Sequence, residues 1–283
     1  MMSEKLLQTH IMPSLTWDIH TANEEWLIQL CEKAEKEGKG YKIGDQVVRL
    51  SSEIAVKFGH GVRASEARTQ DFAYRNTNPR IVHVPRVYRF FERVDPRWHF
   101  PKGYLFMEYV AGQPMHEVDL DAKNDIVSRI AQIISHLGQI QDNQTPGPVG
   151  GGQPQGYLWG DDGARTTFSS VADLEAWLNK RLALQDKSID LSSHPLVLCH
   201  MDLCRRNMIL KEDNTISFLD WGFAGMYPRF FEIASISYMN PYDKPYEKPL
   251  LQATTALLNL TKEEKSFMDL LRIARAASLR YRL

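Results

Sequence analysis

The 283 residues of this chain suffice for one large domain or for two lobes around a shared cleft. A composition of 43% hydrophobic and 24% charged residues is ordinary for a globular protein, and Lys+Arg 34 against Asp+Glu 35 leaves no basic field to hold nucleic acid. No apolar run reaches the roughly 18 residues that a spanning helix needs, so no membrane partner is expected. The three cysteines, Cys31, Cys199 and Cys204, make neither a disulfide framework nor a zinc pattern, which points to a reducing compartment and a cytoplasmic location. Met1 to His20 contains Glu4 and Asp18 and lacks a continuous apolar core, so neither a signal peptide nor an anchor is expected there.

In chain order, Glu24 to Glu37 predicts a helix, with Trp26, Leu27, Leu30 and Ala34 at helical spacing and Gly38 ending the pattern. A glycine-rich segment follows, Gly38 to Asp45, with Gly40 and Gly44 as candidates to cradle phosphate or simply to turn the chain. Val47–Leu50, the polar turn Ser51-Ser52-Glu53 and Ile54–Phe58 predict a β-hairpin. Arg63 to Arg75 predicts a helix; Ile81–Phe91 and Gly103–Val110 predict strands. Beyond them the chain turns mainly helical: Asp125–Gln141 carries Ile126, Ile130, Ile133, Ile134 and Leu137 on one face, and Ser170–Gln185 and Thr261–Arg282 both open with capping-box spacing. The intervening stretch from Asp142 to Phe168, rich in glycine and proline, reads equally as a lid or binding loop and as a plain surface excursion. Its Trp159 and Phe168, with Trp177, are expected in the core, and Asp161-Asp162 as a solvated acidic turn.

The chemistry concentrates between Cys199 and Gly222. Asn207 stands at the start of a short strand, Met208–Leu210; Lys211 to Asn214 supplies a turn; Ile216–Leu219 returns, and Asp220 stands at its end. A hairpin brings its two ends together, so an amide oxygen and a carboxylate converge, a donor set suited to Mg²⁺. Asp202, on a loop after the apolar run Leu196–Cys199, faces the same point and can orient a hydroxyl and take its proton.

The pattern H-x-D-x-x-x-x-N over His200 to Asn207, followed by Asp220-Trp221-Gly222, resembles the aminoglycoside phosphotransferase and choline kinase family, and Trp221 to Gly225 with Pro228 and Glu232 resembles its fungal branch. The resemblance implies a bilobal α+β protein-kinase-like fold: a small antiparallel-sheet lobe over 1–109 and a mainly helical lobe over 110–283, with ATP between them. It implies Asp202 as catalytic base, Asn207 and Asp220 as magnesium ligands, and His200 as a brace for the loop. Ile54-Ala55-Val56-Lys57 resembles the strand that presents the nucleotide lysine, Glu66 its ion-pair partner, and Met107-Glu108-Tyr109-Val110 the hinge whose backbone would meet adenine. The implied reaction is transfer of the γ-phosphoryl group to a hydroxyl of a small molecule.

Three positions depart from the family pattern. Cys204 stands two residues after the base, where small-molecule kinases commonly carry histidine and protein kinases lysine; Arg205 replaces a following proline; Met201 replaces a common glycine. Cys199 and Cys204 are expected as small packing residues. Two alternatives stay open: a nucleotide-binding pseudokinase serving as scaffold or sensor, and a protein kinase, against which Cys204 and the lack of an A-P-E motif after Asp220 speak. Oligomeric state has no signature in the sequence.

Overall fold

A computed structural model describes residues 18–37, 44–96, 99–142, 145–238 and 243–281. Helix α1 (Glu24–Glu37) precedes a four-stranded antiparallel sheet made of β1 (Gln46–Arg49), β2 (Ile54–Gly59), β3 (Val87–Val94) and β4 (Pro101–Glu108), in the order β1-β2-β4-β3. The run from Val56 to Gly59 is buried, so β2 is an interior strand, and Phe58, Phe91, Tyr104 and Phe106 stack in a small core beneath α1. Helix α2 (Ala64–Asn76) lies across the sheet.

The second lobe is mainly helical. Helix α3 (Ile126–Leu137) buries its isoleucine face, with Ile126, Ile130, Ile133 and Ile134 at 2% exposure or less, as the helical spacing predicts. Helix α4 (Val171–Leu182) starts where the Ser170 side chain accepts from the Asp173 N–H, although the reciprocal bond goes from the Ser169 N–H to Asp173. Among short strands, β5 (Gln113–Pro114) pairs with β7 (Met208–Leu210), which pairs with β8 (Ile216–Phe218), and β6 (Leu196–Cys199) pairs with β9 (Gly225–Pro228). Helix α5 (Phe230–Ile236) is buried on all sides, as an interior helix should be; α6 (Lys244–Leu257) packs on α3, and α7 (Lys262–Arg280) opens with the predicted capping box at Thr261 and Glu264.

The strand predicted at Ile81 lies later in the chain. Residues 81–86 contribute one parallel bridge, between His83 and Ser217, and the strand begins at Val87. Pro85 removes a backbone donor there, and Val82 and Val84 turn into the core of the helical lobe instead of joining the sheet. Trp159 and Phe168 are core residues, as expected, and Asp162 forms an exposed pair with Arg165. Among the described residues no helix is long and apolar enough to cross a membrane.

Candidate active site

Two loops from the helical lobe and one strand–helix pair from the sheet lobe build the site. The loop after β6 carries Asp202. In it His200, fully buried, uses both ring nitrogens: Nε2 donates to the Leu219 carbonyl at 2.9 Å, and Nδ1 accepts from the Asp202 N–H at 3.3 Å. Burial holds this imidazole down at about 4, so it is neutral, and its role is to tie the Asp202 loop to the segment leading into Asp220. Met201 occupies the left-handed region at φ 67, where a side chain is uncommon. Glu232 on α5 stabilises that turn: its carboxylate accepts from the His200 N–H and, at 3.0 Å, from the Met201 N–H. A methionine packed into the core therefore stands at this left-handed position, with a buried carboxylate gripping the bend.

The β7–β8 hairpin does what the sequence predicted. The Leu219 N–H bonds the Asn207 carbonyl at 2.8 Å, so the two ends meet. Asn207 Nδ2 donates to Asp202 Oδ2 at 2.9 Å and to the Asp202 carbonyl at 3.1 Å, which commits the amide nitrogen and leaves Oδ1 free of these bonds. Asp220, left-handed at φ 60, ends the hairpin. Its Oδ1 accepts from Lys57 Nζ at 2.9 Å, and the same ammonium bonds Glu66 Oε1 at 2.7 Å. Burial works against charge on both Lys57 and Asp220; even so, the two carboxylates raise Lys57 above its ordinary value, and the ammonium lowers Asp220. Lys57 from β2, Glu66 from α2 and Asp220 from the other lobe thus converge on one point. Asp202 is 8% exposed, and among the described residues its buried Oδ1 has no hydrogen-bond partner. Burial, aided by the charge of Asp220, pushes its carboxyl up to about 6.

Of the inter-lobe residues, the Glu108 N–H donates to the Arg86 carbonyl and the Tyr109 N–H to the Glu53 carbonyl, both bonds being structural. Among the described residues Val110 N–H has no such acceptor. The Glu108 carboxylate bonds His83 at 3.1 Å and the Arg86 N–H at 3.2 Å. Gly44 is left-handed at φ 102 with open space around it, whereas Gly40 lies outside the described residues.

Other neighbours were not legible in the sequence. Arg205 makes a two-pronged pair with Asp243, at 2.7 and 2.8 Å, which anchors the loop. The charge of exposed Arg206 acts on Asp202, and that of Asp202 on half-buried Tyr157, which stands edge-on against Phe223 at 5.5 Å. The buried Cys199 and Cys204 pack in the cores, as expected.

The chain resembles many solved structures. An apo thermostable mutant of aminoglycoside phosphotransferase APH(4)-Ia aligns with 14% identity over 87% of this chain and 89% of that one, at a TM-score of 0.50. A second mutant form of the same enzyme, in a ternary complex with ADP and hygromycin B, aligns at 13% identity over 90% and 88%, at 0.50. A choline/ethanolamine kinase family protein from Mesorhizobium loti aligns at 13% identity over 90% and 82%, at 0.44. The first two carry the likeness and give the chain the bilobal α+β protein-kinase-like fold. No curated protein is similar enough to match. The model of the phosphotransferase enzyme family, APH, matches residues 42–265, most of the chain and the whole of the site just described, and the chain belongs to that family.

Proposed function

We propose that this protein transfers the γ-phosphoryl group of ATP to a hydroxyl of a small molecule, with Asp202 as general base. The observation that carries the proposal is the convergence of Lys57, Glu66 and Asp220 across the lobes beside a buried carboxylate with one oxygen unpartnered. Asp202 Oδ2 is fixed by Asn207, so Oδ1 is the atom that would receive the acceptor's hydrogen. A base held near 6 is ionised at neutral pH and still basic enough to take a proton as the hydroxyl attacks. His200 holds the loop and moves no proton in this scheme. Lys57, held by Glu66, would exchange its contact with Asp220 for the phosphates of the nucleotide, and Val110 N–H would receive the purine.

Asn207 Oδ1 and the Asp220 carboxylate would hold magnesium, and two hard oxygen donors suit such an ion. When bound, the ion neutralises charge on the phosphates. We place the nucleotide lobe at 1–109 and the acceptor and catalytic residues at 110–283.

The test replaces the base. Asp202→Ala should lower kcat by about a thousandfold, within the range for a lost general base, while MgATP still binds. Activity equal to wild type would overturn the role, and a wild type that binds MgATP yet turns over no hydroxylated metabolite would favour the scaffold alternative.

A further inference from the structure

Helix α2 carries Glu66, and its next residues face the opposite lobe. Arg68 donates through Nε to the Val149 carbonyl at 3.3 Å and through its terminal nitrogen to the Gly151 carbonyl at 3.0 Å. Thr69, fully buried, accepts from the Val149 N–H at 3.0 Å and donates to the Ser65 carbonyl at 2.8 Å. The other side of this loop is clipped to β9, where Gly147 and Met226 exchange two backbone bonds at 3.1 and 2.8 Å. Residues 147–152 therefore join the strand that follows Asp220 to the helix that holds Lys57. Gly150, Gly151 and Gly152 all have positive φ, and a Cβ at Gly150 would stand 2.7 Å from Arg68 Nε. Such a path requires glycine at close approach to the helix.

We propose that Arg68 and Thr69 are positioning residues: residues 147–152 form a strap that fixes the rotation and register of α2, so that Glu66 meets Lys57 and the ammonium stands ready for a triphosphate. The inference rests on the nucleotide-site reading above. Apolar packing alone would hold α2 against the lobe without setting its rotation. Here two carbonyls and an N–H of the strap are satisfied by two adjacent side chains of the helix, and directional bonds of this kind select one register. Glu66 lies two and three residues from these anchors, so a slip of the strap moves the carboxylate directly.

The experiment measures binding of MgATP and of adenosine, which has no phosphates to meet Lys57, to the full chain. Thr69→Val keeps the shape of a buried side chain while losing the acceptor, and Arg68→Ala changes an exposed one, so the two variants do not share a folding risk. Each should weaken MgATP about five- to tenfold, the effect of about 1 to 1.4 kcal/mol, and leave adenosine within about twofold, with Thr69→Ser restoring MgATP affinity. Parallel loss of both ligands would reduce the strap to a packing role and overturn the inference. So would unchanged MgATP affinity in both variants while Lys57→Ala loses its preference for MgATP. A wild-type protein that binds MgATP no better than adenosine would instead sink the nucleotide reading, and the strap's role would fall with it.

Discussion

Two buried glutamates do opposite work. Glu66, on α2, faces an ammonium that also contacts Asp220 on the other lobe. Glu232, on α5, faces two backbone N–H groups of the bend at His200 and Met201. The ammonium that Glu66 holds has an exchangeable second contact, because phosphate oxygens can take the place of the Asp220 carboxylate at Lys57. The Glu232 pairing has none, since a peptide N–H buried in the helical lobe has nowhere else to turn. Under the proposed function one carboxylate therefore serves a site that would rearrange around a nucleotide, the other a frame that must stay fixed. Removing the first partnership should damage chemistry; removing the second should damage the fold.

The sharpest way to break this contrast is Lys57→Ala. It should cost about a hundredfold in kcat/KM, the size seen when one electrostatic contact to a reacting centre is lost, measured on folded protein because a buried Glu66 without its ammonium also costs stability. A large fall in melting temperature with kinetics preserved would reverse the assignment. Glu232→Ala should do the opposite, leaving two N–H groups unsatisfied and lowering unfolding free energy by about 2–4 kcal/mol, read by urea denaturation. Asp202 adds a pH test. Its base form is the active one, and its carboxyl is raised to about 6, so kcat/KM should fall about tenfold per pH unit below 6 and level off above about 7; an inflection at the usual carboxylate value near 4 would remove the influence of burial and Asp220. The smallest effect belongs to Glu232→Gln, which keeps one acceptor oxygen and turns an NH₂ toward the other N–H. About 1–2 kcal/mol should be lost, and chemistry should persist in whatever fraction stays folded.

Much of the site was legible because it is local. From Cys199 to Gly222, chain order alone brings Asn207 to Asp220 through a hairpin whose turn and strands are visible in the residues. Lys57 with Glu66 was legible for a similar reason, an apolar strand followed by a helix. The supports were not. Glu232 lies 31 and 32 residues beyond the two positions it grips, and Asp243 38 beyond Arg205, and no periodicity encodes such pairings. Val82 and Val84 misled because a valine-rich run reads as strand, whereas Pro85 and the neighbouring hydrophobic core decide where those side chains go. Nothing in the strap's glycine and proline residues announced that Arg68 and Thr69 would hold them.

One crossing of the chain has a practical outcome. Between α2 and β3 the backbone leaves its own sheet and visits its neighbour: His83 exchanges bonds with Ile216 and Phe218 at 3.0 Å each, and the Asn78 N–H reaches the His136 ring at 2.9 Å. A fragment ending at Tyr109 would strip Val82 and Val84 of their surroundings and leave that detour as a sticky, unpaired ribbon, so it should aggregate when expressed alone. Supplied together as two separate polypeptides, residues 1–109 and 110–283 should reassemble, because the ribbon carries its own docking address.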